Sequence, residues 1–553
     1  MDTRILIAII LSLAVVFAYQ ELVLDRLYPP QPPHAPASSV PTPAQRPALP
    51  LVAAPQLGSG QPLPLGSQAT AAAHTIRVET EDYIARFTTA GGRLESLQLK
   101  HFHQTAAPHS PLLQLVTPAP DGELPLGLVV EEGARQLDDR DVVYQTNSPA
   151  SLKLHSGQSA TLDLTASTAD GLKLEKRLTF TAAGYVFDLN ASAAGGSNTI
   201  SAAGVAMSLP LGKGTNYFDI PEIQALVNGS AKVEPQKALA KGVAPLSGQI
   251  TYAGIGQLYF LSVFLPQMQA PGTLTMAVRH DQATAIILYP AQAGRVDLAT
   301  RVYMGPKELT TLEAVNPELR RAINFGWAGL LALAFLRALK LFHHITPNYG
   351  VDIILLTVAI RLLFLPLSIK SQRSMMRLQR LQPQVERLRE KLKDDKERLN
   401  REMMDLYKRN HVNPLGGCAP MLLQLPIFLG LYEALANSIE LRHAPFIAWV
   451  RDLSAPECLV IPGMPQLPFM PCGGLPILVL LMGASTWLQQ ALAPKAADPN
   501  QQKMMMLMPL MFTVMFLNLP AGLSLYYFSS NVLGIIQQYF LNREFKQLGP
   551  ANA

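Results

Sequence analysis

Arg361 is the residue whose surroundings point most directly to a function. It lies inside a long apolar stretch, between residues 357–360 and 362–365. A guanidinium at membrane depth costs from about 2.5 kcal/mol on insertion scales to far more in simulations, and it usually faces protein or a water-filled cavity. The other apolar stretches offer no acidic residue deep enough to pair with it, because Asp352 and Glu433 sit near the ends of theirs. The sequence therefore predicts a hydrated recess around Arg361.

Snorkelling is the structural alternative for this arginine. Arg361 precedes Lys370 by nine residues, roughly 13 Å along a helix. Its long side chain could therefore lean toward the headgroup layer. We favour the functional interpretation because no ion-pair partner is available at that depth.

Further polar residues fall in the same predicted helices. Thr357 lies one turn before Arg361, and Gln424 lies within another apolar stretch. A third set follows helical spacings of 3, 4 and 7: Ser524, Tyr527, Asn531 and Gln538. Taken singly, each is equally compatible with hydrogen bonding between membrane helices. Together with an arginine that has no acidic mate, they predict a hydrophilic groove.

Composition indicates which elements must position these residues. Of 553 residues, 49% are hydrophobic and only 15% charged, against about 25% charged in soluble domains. The stretch 504–541 contains no charged residue and is too long for one span of about 30 Å, so the turn at Asn518–Gly522 divides it. Within the predicted core domain 349–545, five spans follow: about 349–369, 415–437, 475–493, 504–518 and 521–541.

Charge placement predicts the orientation of these spans. Loop 370–411 holds thirteen Lys and Arg against seven Asp and Glu, a net +6, and is cytoplasmic by the positive-inside rule. Residues 1–20 form a sixth span, with a cytoplasmic N-terminus; a cleaved signal peptide is the alternative. Residues 323–345, within a connector 311–348, fit an interfacial amphipathic helix. If residues 323–345 were a span, loop 370–411 would lie on the outer side of the membrane.

Loop 370–411 is itself structured. Its apolar residues recur at spacings of 3 and 4, which predicts two short helices packed as a hairpin, with Pro383 as a start or a kink. The residues that form this seam are Leu378, Leu381, Val385, Leu388, Leu392, Leu399, Met403 and Leu406. A solvated charged helix is the alternative.

The region before the core is exported. Residues 21–74 are rich in Pro and Ala and predict an extended linker. In residues 75–310, short segments of period 2 separated by glycine-rich turns predict an antiparallel β-sandwich. We find no metal-ligand spacing and no nucleophile–base pair there, so no cofactor and no enzymatic activity are expected. Cys458 and Cys472 fall in the outer loop 438–474 and could form a disulfide.

Several motifs resemble the YidC membrane protein insertases. Arg361 followed by Leu365-Pro366-Leu367 resembles the second helix of that family, and Asn413-Pro414-Leu415-Gly416-Gly417 followed by Gln424-Leu425-Pro426 resembles the entry to the third. Pro520-Ala521-Gly522-Leu523, Tyr526-Tyr527 and Ser530-Asn531 resemble its last hairpin. Tyr303-Met304-Gly305-Pro306-Lys307 and Phe325-Gly326-Trp327 resemble the Gram-negative form, which has a large periplasmic domain.

The resemblance implies a multi-domain protein of the bacterial inner membrane. Its fold would be a bundle of six transmembrane helices with a five-helix insertase core, an exported all-β sandwich and a cytoplasmic helical hairpin. Arg361 would attract the acidic or polar flank of a nascent segment while its apolar part moves along the third and fifth helices into lipid. The hairpin would capture substrates and partners, and the protein would act alone or with the Sec translocon.

The tail departs from some relatives. After Arg543 it holds only Lys546 as a further basic residue, which predicts weak ribosome binding, and no nucleic-acid recognition is expected. The competing function is a secondary transporter or channel, because those also place polar sites between helices. Against it stand the lack of an inverted repeat and of a deep acidic residue for ion coupling.

Overall fold

The structure, a computed structural model, describes most of the chain after the linker. The residues described are 63–64, 72–117, 123–133, 135–196, 199–210, 221–279, 282–323, 325–326, 328–392, 395–410, 419–460, 474–493 and 499–547. All belong to one compact unit, Gly58–Ala553. The predicted N-terminal span 1–20 and almost all of the linker 21–74 lie outside the described residues.

The exported region is a β-sandwich, as the period-2 patterning predicted. Its strands are β1 (Leu63–Pro64), β2 (Thr75–Glu79), β3 (Tyr83–Thr88), β4 (Arg93–His103), β5 (Leu112–Val116), β6 (Gly127–Glu132), β7 (Arg135–Asp138), β8 (Ser151–Lys153), β9 (Ser159–Ser167), β10 (Leu172–Thr181), β11 (Val186–Gly195), β12 (Ile200–Pro210), β13 (Glu222–Val227), β14 (Ser230–Pro235), β15 (Leu246–Gly248), β16 (Ile250–Gly256), β17 (Phe260–Pro266), β18 (Gly272–Arg279), β19 (Gln282–Pro290) and β20 (Arg295–Pro306).

Three sheets make up this domain. An eight-stranded sheet has the order β14-β13-β16-β17-β20-β11-β10-β9, a seven-stranded sheet β1-β7-β6-β12-β19-β18-β15, and a five-stranded sheet β5-β4-β3-β2-β8. All pairs are antiparallel except β1–β7 and β2–β8. The first two sheets contact each other through β12, β13, β16, β19 and β20. Their facing apolar side chains form one continuous core.

Strand β10 shows how sequence builds that core. Its buried positions alternate with exposed ones, so that Leu172, Leu174, Leu178 and Phe180 point inward. By the same alternation Lys176 also points inward, and it is almost completely buried. A lysine is almost never fully buried without a partner.

The C-terminal region is helical. Its helices, numbered after the short α1 (Gln236–Leu239) within the β-domain, are α2 (Leu309–Val315), α3 (Gly329–His343), α4 (Tyr349–Lys391), α5 (Lys396–Arg409), α6 (Ala419–Ala436), α7 (Ile477–Leu492), α8 (Pro499–Phe516) and α9 (Ala521–Gln547). Short 3-10 turns lie at Pro317–Ala322 and Ile439–Leu441, and a two-stranded sheet pairs Leu459–Val460 with Gly474–Leu475.

Helix α4 corrects one prediction. The sequence predicts the second span and the first hairpin helix as separate elements, with Pro383 as a start or a kink. They instead form one helix of 43 residues that contains Pro366 and Pro383, so no helix starts at Pro383, and the kink stays a prediction. At about 1.5 Å per residue it is about 64 Å long, twice the hydrocarbon thickness of a bilayer. Asn348 caps its N-terminus by accepting from the N–H groups of Gly350 and Val351.

Length and apolar composition single out α4 as able to cross a membrane among the helices that the structure describes. Shorter apolar segments of 10–17 residues occupy Gln424–Ala436, Ile477–Leu492 and Met506–Phe516. Helix α5 contacts the end of α4, where Leu381 and Val385 are buried.

Helix α3 joins the two regions. It has 15 residues and buries Ala332, Leu336 and Leu339, while Leu330 and Leu341 remain exposed. Its buried face belongs to an apolar cluster shared with the β-domain and with α6. The β-domain and the helices are thus packed against each other.

The loop after α6 carries a disulfide. Cys458 is disulfide-bonded, and the chain's other cysteines, Cys418 and Cys472, both fall outside the described residues. The pairing of Cys458 with Cys472 therefore stays a prediction.

Candidate functional site

Arg361 lies in α4 and reaches across to α9. Its Nε donates to Ser530 Oγ at 3.0 Å, and its Nη2 donates to the Ser530 carbonyl oxygen at 2.7 Å. Among the residues that the structure describes, no carboxylate oxygen lies within 4.0 Å of this guanidinium, the distance limit for an ion pair. The cation is thus held by neutral acceptors.

Arg361 lines two cavities. The inner cavity, about 50 Å³, lies between α4, α6 and α9 and is lined by Ile360, Arg361, Phe364, Leu367, Ser368, Gln424, Ile427, Tyr526 and Ser530. The outer cleft, about 410 Å³, lies between α4 and α9 and is lined by Val358, Arg361, Leu362, Leu365, Ile369, Leu533, Ile536, Gln537, Phe540, Leu541 and Glu544.

The inner cavity has the chemistry of a hydrated site. A water needs about 10–15 Å³ and two to four polar partners. Besides the arginine, Ser530, Gln424 and Tyr526 supply such groups, and Gln424 Nε2 donates to the Tyr526 hydroxyl at 2.9 Å. The cavity is therefore large and polar enough to hold water next to the guanidinium.

The predicted polar residues do not all meet there. Thr357 is completely buried, and its hydroxyl donates to the Ile353 carbonyl oxygen one turn back at 2.7 Å. Asn531 instead joins α9 to α7, donating to Ser485 Oγ at 3.0 Å and Thr486 Oγ1 at 2.8 Å. These two follow the alternative interpretation, in which polar groups satisfy the helices themselves.

Tyr527 and Ser524 also lie away from the inner cavity. The Tyr527 ring packs against Phe428 and Phe516, with centroids 5.7 and 5.0 Å apart. Ser524 is completely buried, and its hydroxyl has no partner within the described part of the chain. Of the six residues predicted, Arg361 and Gln424 line the inner cavity.

The polar face of α9 that meets Arg361 is one residue away from the predicted one. It carries Tyr526, Ser530 and Gln537, whereas Tyr527, Asn531 and Gln538 were expected. Gln537 Nε2 donates to Ser368 Oγ at 3.0 Å and to Gln372 Oε1 at 3.2 Å on α4. One residue is a rotation of about 100°, and both stripes have the same spacing, so spacing alone could not choose between them.

Gly534 belongs to the same face and allows a close approach. A Cβ there would clash with the side-chain amide of Gln489 from α7 and lie 3.2 Å from Arg361 Nη2. Because glycine has no side chain, α7, α9 and the guanidinium can approach one another closely here.

A second buried cation lies in the β-domain. Lys176 Nζ sits 2.6 Å from Asp139 Oδ2 and donates to the carbonyl oxygens of Gly91 at 2.6 Å and Leu126 at 2.8 Å. Burial lowers the pKa of Lys176, and the Asp139 carboxylate opposes that effect. Asp139 also accepts from Arg93 at 3.1 Å and from the Tyr144 hydroxyl at 2.9 Å. This cluster fastens loops of the sandwich together.

Metal chemistry has no candidate site in the described ranges, which contain no group of three or more His, Cys, Asp or Glu residues able to hold an ion.

Comparisons with known proteins cover almost the whole chain. A family model described as the 60Kd inner membrane protein matches residues 341–548, and one for the YidC periplasmic domain matches residues 75–337. A membrane protein insertase YidC of Syntrophus aciditrophicus is 34% identical over 98% of this chain and 100% of its own length. The chain belongs to the YidC membrane protein insertase family.

A second YidC relative agrees. The protein of that name from Maridesulfovibrio salexigens is 36% identical over 99% of both chains. A crystal structure of an active YidC insertase with its first transmembrane domain resolved aligns with 86% of this chain and 95% of its own, at 17% identity and a TM-score of 0.37. Family membership confirms the insertase function predicted from the sequence and does not favour a transporter or channel. It also confirms an inner-membrane protein with a periplasmic β-domain.

Proposed function

We propose that this chain inserts nascent membrane proteins through a hydrated groove whose charged element is Arg361. The observation that carries the proposal is the guanidinium bound to Ser530, with no carboxylate among the described residues at ion-pair distance, next to a cavity that Gln424 and Tyr526 also line. A cation without a counter-ion at membrane depth attracts an acidic group of a passing segment, because Coulomb interactions are stronger there than in water. The apolar part of that segment would leave toward lipid, driven by hydrophobic transfer at roughly 25 cal/mol per Å².

The topology proposed with it has six spans, a cytoplasmic N-terminus and α5 with the end of α4 as a cytoplasmic hairpin. The length of α4 supports this arrangement, since half of it must project beyond the hydrocarbon. We also propose Gln424 as a groove residue with Arg361. Thr357, Ser524, Tyr527 and Asn531 would support the groove walls. The Sec translocon and, weakly, the ribosome are proposed as partners of the hairpin and tail.

Substitution of Arg361 tests the mechanism. Insertion into membrane vesicles, followed by protease protection, is measured for segments with acidic or neutral translocated flanks. We expect Arg361→Ala to lower insertion of the acidic-flank segments roughly tenfold, the equivalent of 1.4 kcal/mol, and Arg361→Lys to restore most of it. Neutral-flank segments should change little.

Arg451→Ala is the matched control, because it removes an exposed cation from the loop after α6. It should insert both classes of segment normally. Full activity of Arg361→Ala on acidic flanks, or equal loss with both flanks, would contradict charge capture.

A further inference from the structure

The outer cleft differs from the inner cavity in shape and chemistry. It runs along three turns of α4, from Val358 to Ile369, and along α9 from Leu533 to Glu544. Apart from Arg361, Gln537 and Glu544, its lining is apolar. Leu362, Ile536 and Phe540 on its margin are 62%, 48% and 62% exposed, so at membrane depth the cleft opens onto hydrocarbon.

The width of the outer cleft decides what can occupy it. The cavity volume of about 410 Å³ extends along about 16 Å of helix, so the cleft is long and narrow. A helical substrate segment does not fit between α4 and α9, which are held together by Arg361–Ser530 and Gln537–Ser368. An extended hydrocarbon chain does.

Charge at one end of the cleft indicates the headgroup. Directly after Ile369, α4 carries Lys370, Arg373 and Arg377 at spacings of 3 and 4, on one face, and all three are exposed. Glu544 at the same end is 2.8 Å from Arg373 and neutralises one of them. Two cations remain in excess at the mouth. Basic pockets at the cytoplasmic side of membrane helices bind anionic lipid headgroups.

We propose that the outer cleft is a binding site for an anionic phospholipid of the cytoplasmic leaflet. One acyl chain lies between α4 and α9, and the phosphate contacts Lys370 and Arg377. The position of the headgroup rests on the orientation proposed above, whereas the fit of the acyl chain does not. A bound lipid would fill the groove between two helices whose contacts position Arg361.

Native mass spectrometry of the full-length protein tests this site. The protein in detergent is titrated with phosphatidylglycerol or phosphatidylcholine of identical acyl chains. We expect tighter binding of phosphatidylglycerol, and a loss of that preference of about fivefold for each cation removed in Lys370→Ala and Arg377→Ala. Ile536→Trp, which fills the cleft, should lower binding of both lipids.

Leu488→Trp on α7 is the matched control, because Leu488 is 45% exposed and lies outside the cleft. It should leave lipid binding unchanged. Equal binding of the two lipids, or equal effects of the two tryptophans, would overturn the proposal. So would a photocrosslinker at Ile536 that labels a stalled nascent chain and no lipid, since the cleft would then serve substrate. Because lipid binding is measured without insertion, its failure leaves the insertion mechanism untouched.

Discussion

Two buried cations in this protein have opposite surroundings. In the β-domain, Lys176 is neutralised by Asp139 at 2.6 Å and saturated by backbone carbonyl oxygens. In the helical region, the acceptors that the described residues offer Arg361 are the hydroxyl and carbonyl oxygens of Ser530, and Arg361 lines two cavities. The lysine completes a packed structure. In the proposed mechanism, the arginine keeps its net charge available to a substrate segment.

The difference lies in what each cation would leave behind. Removing one member of a buried ion pair strands its partner, which costs about 3–5 kcal/mol. Removing a cation with neutral partners strands no charge. Substitution of Lys176 should therefore lower stability, whereas substitution of Arg361 should lower insertion with little effect on stability.

The largest expected effect on stability is that of Lys176→Met, which leaves Arg93 as the remaining cation on Asp139 and deprives the carbonyl oxygens of Gly91 and Leu126 of their buried donor. We expect the unfolding temperature of the β-domain to fall by about 10 °C, since each kcal/mol shifts a domain of this size by about 2–4 °C. Scanning calorimetry of the full-length protein in detergent measures it. The matched variant Arg361→Met should shift unfolding by no more than about 2 °C. Equal destabilisation by both would remove the distinction between them.

A smaller effect is expected at Gly534. Gly534→Ala introduces a Cβ against Gln489 and Arg361. We expect this variant to lower insertion of acidic-flank segments about threefold. Its stability should change little, because alanine favours a helix by about 1 kcal/mol over glycine. Adding Gln489→Ala should restore insertion by relieving the clash. If the double variant were no better than the single one, close packing at the guanidinium would not be the cause.

The smallest effect is expected from Ser530→Ala. It removes the acceptor of Arg361 Nε but leaves the Ser530 carbonyl oxygen for Nη2, so we expect a cost near the lower end of the range for one hydrogen bond, about 0.5 kcal/mol. Insertion should fall no more than about twofold for acidic flanks. A loss as large as that of Arg361→Ala would mean that the serine, rather than the charge, contacts substrate.

Prediction from sequence succeeded where periodicity was strong. Alternation along strands such as β10 predicted the sandwich, whereas the site at Arg361 stays a prediction. It failed where two patterns were equally regular, as with the stripes of Ser530 and Asn531 on α9. Pro383 was expected as a helix start or a kink, and the start is wrong because α4 continues through it. Lys176 was visible as a lysine at an inward position, but only the fold brings Asp139 to it.

Exchange of charge between the protein and its substrate tests the central claim most directly. Insertion is measured for the parent protein and for Arg361→Glu, each with a translocated flank that carries either aspartate or lysine. In this double-mutant cycle, the effect of the membrane potential on the flank cancels. We predict that Arg361→Glu lowers insertion of the acidic flank more than about tenfold and improves insertion of the basic flank relative to the parent protein, a strong coupling between the two sites. Effects that simply add, with no coupling, would contradict a functional role for the charge of Arg361.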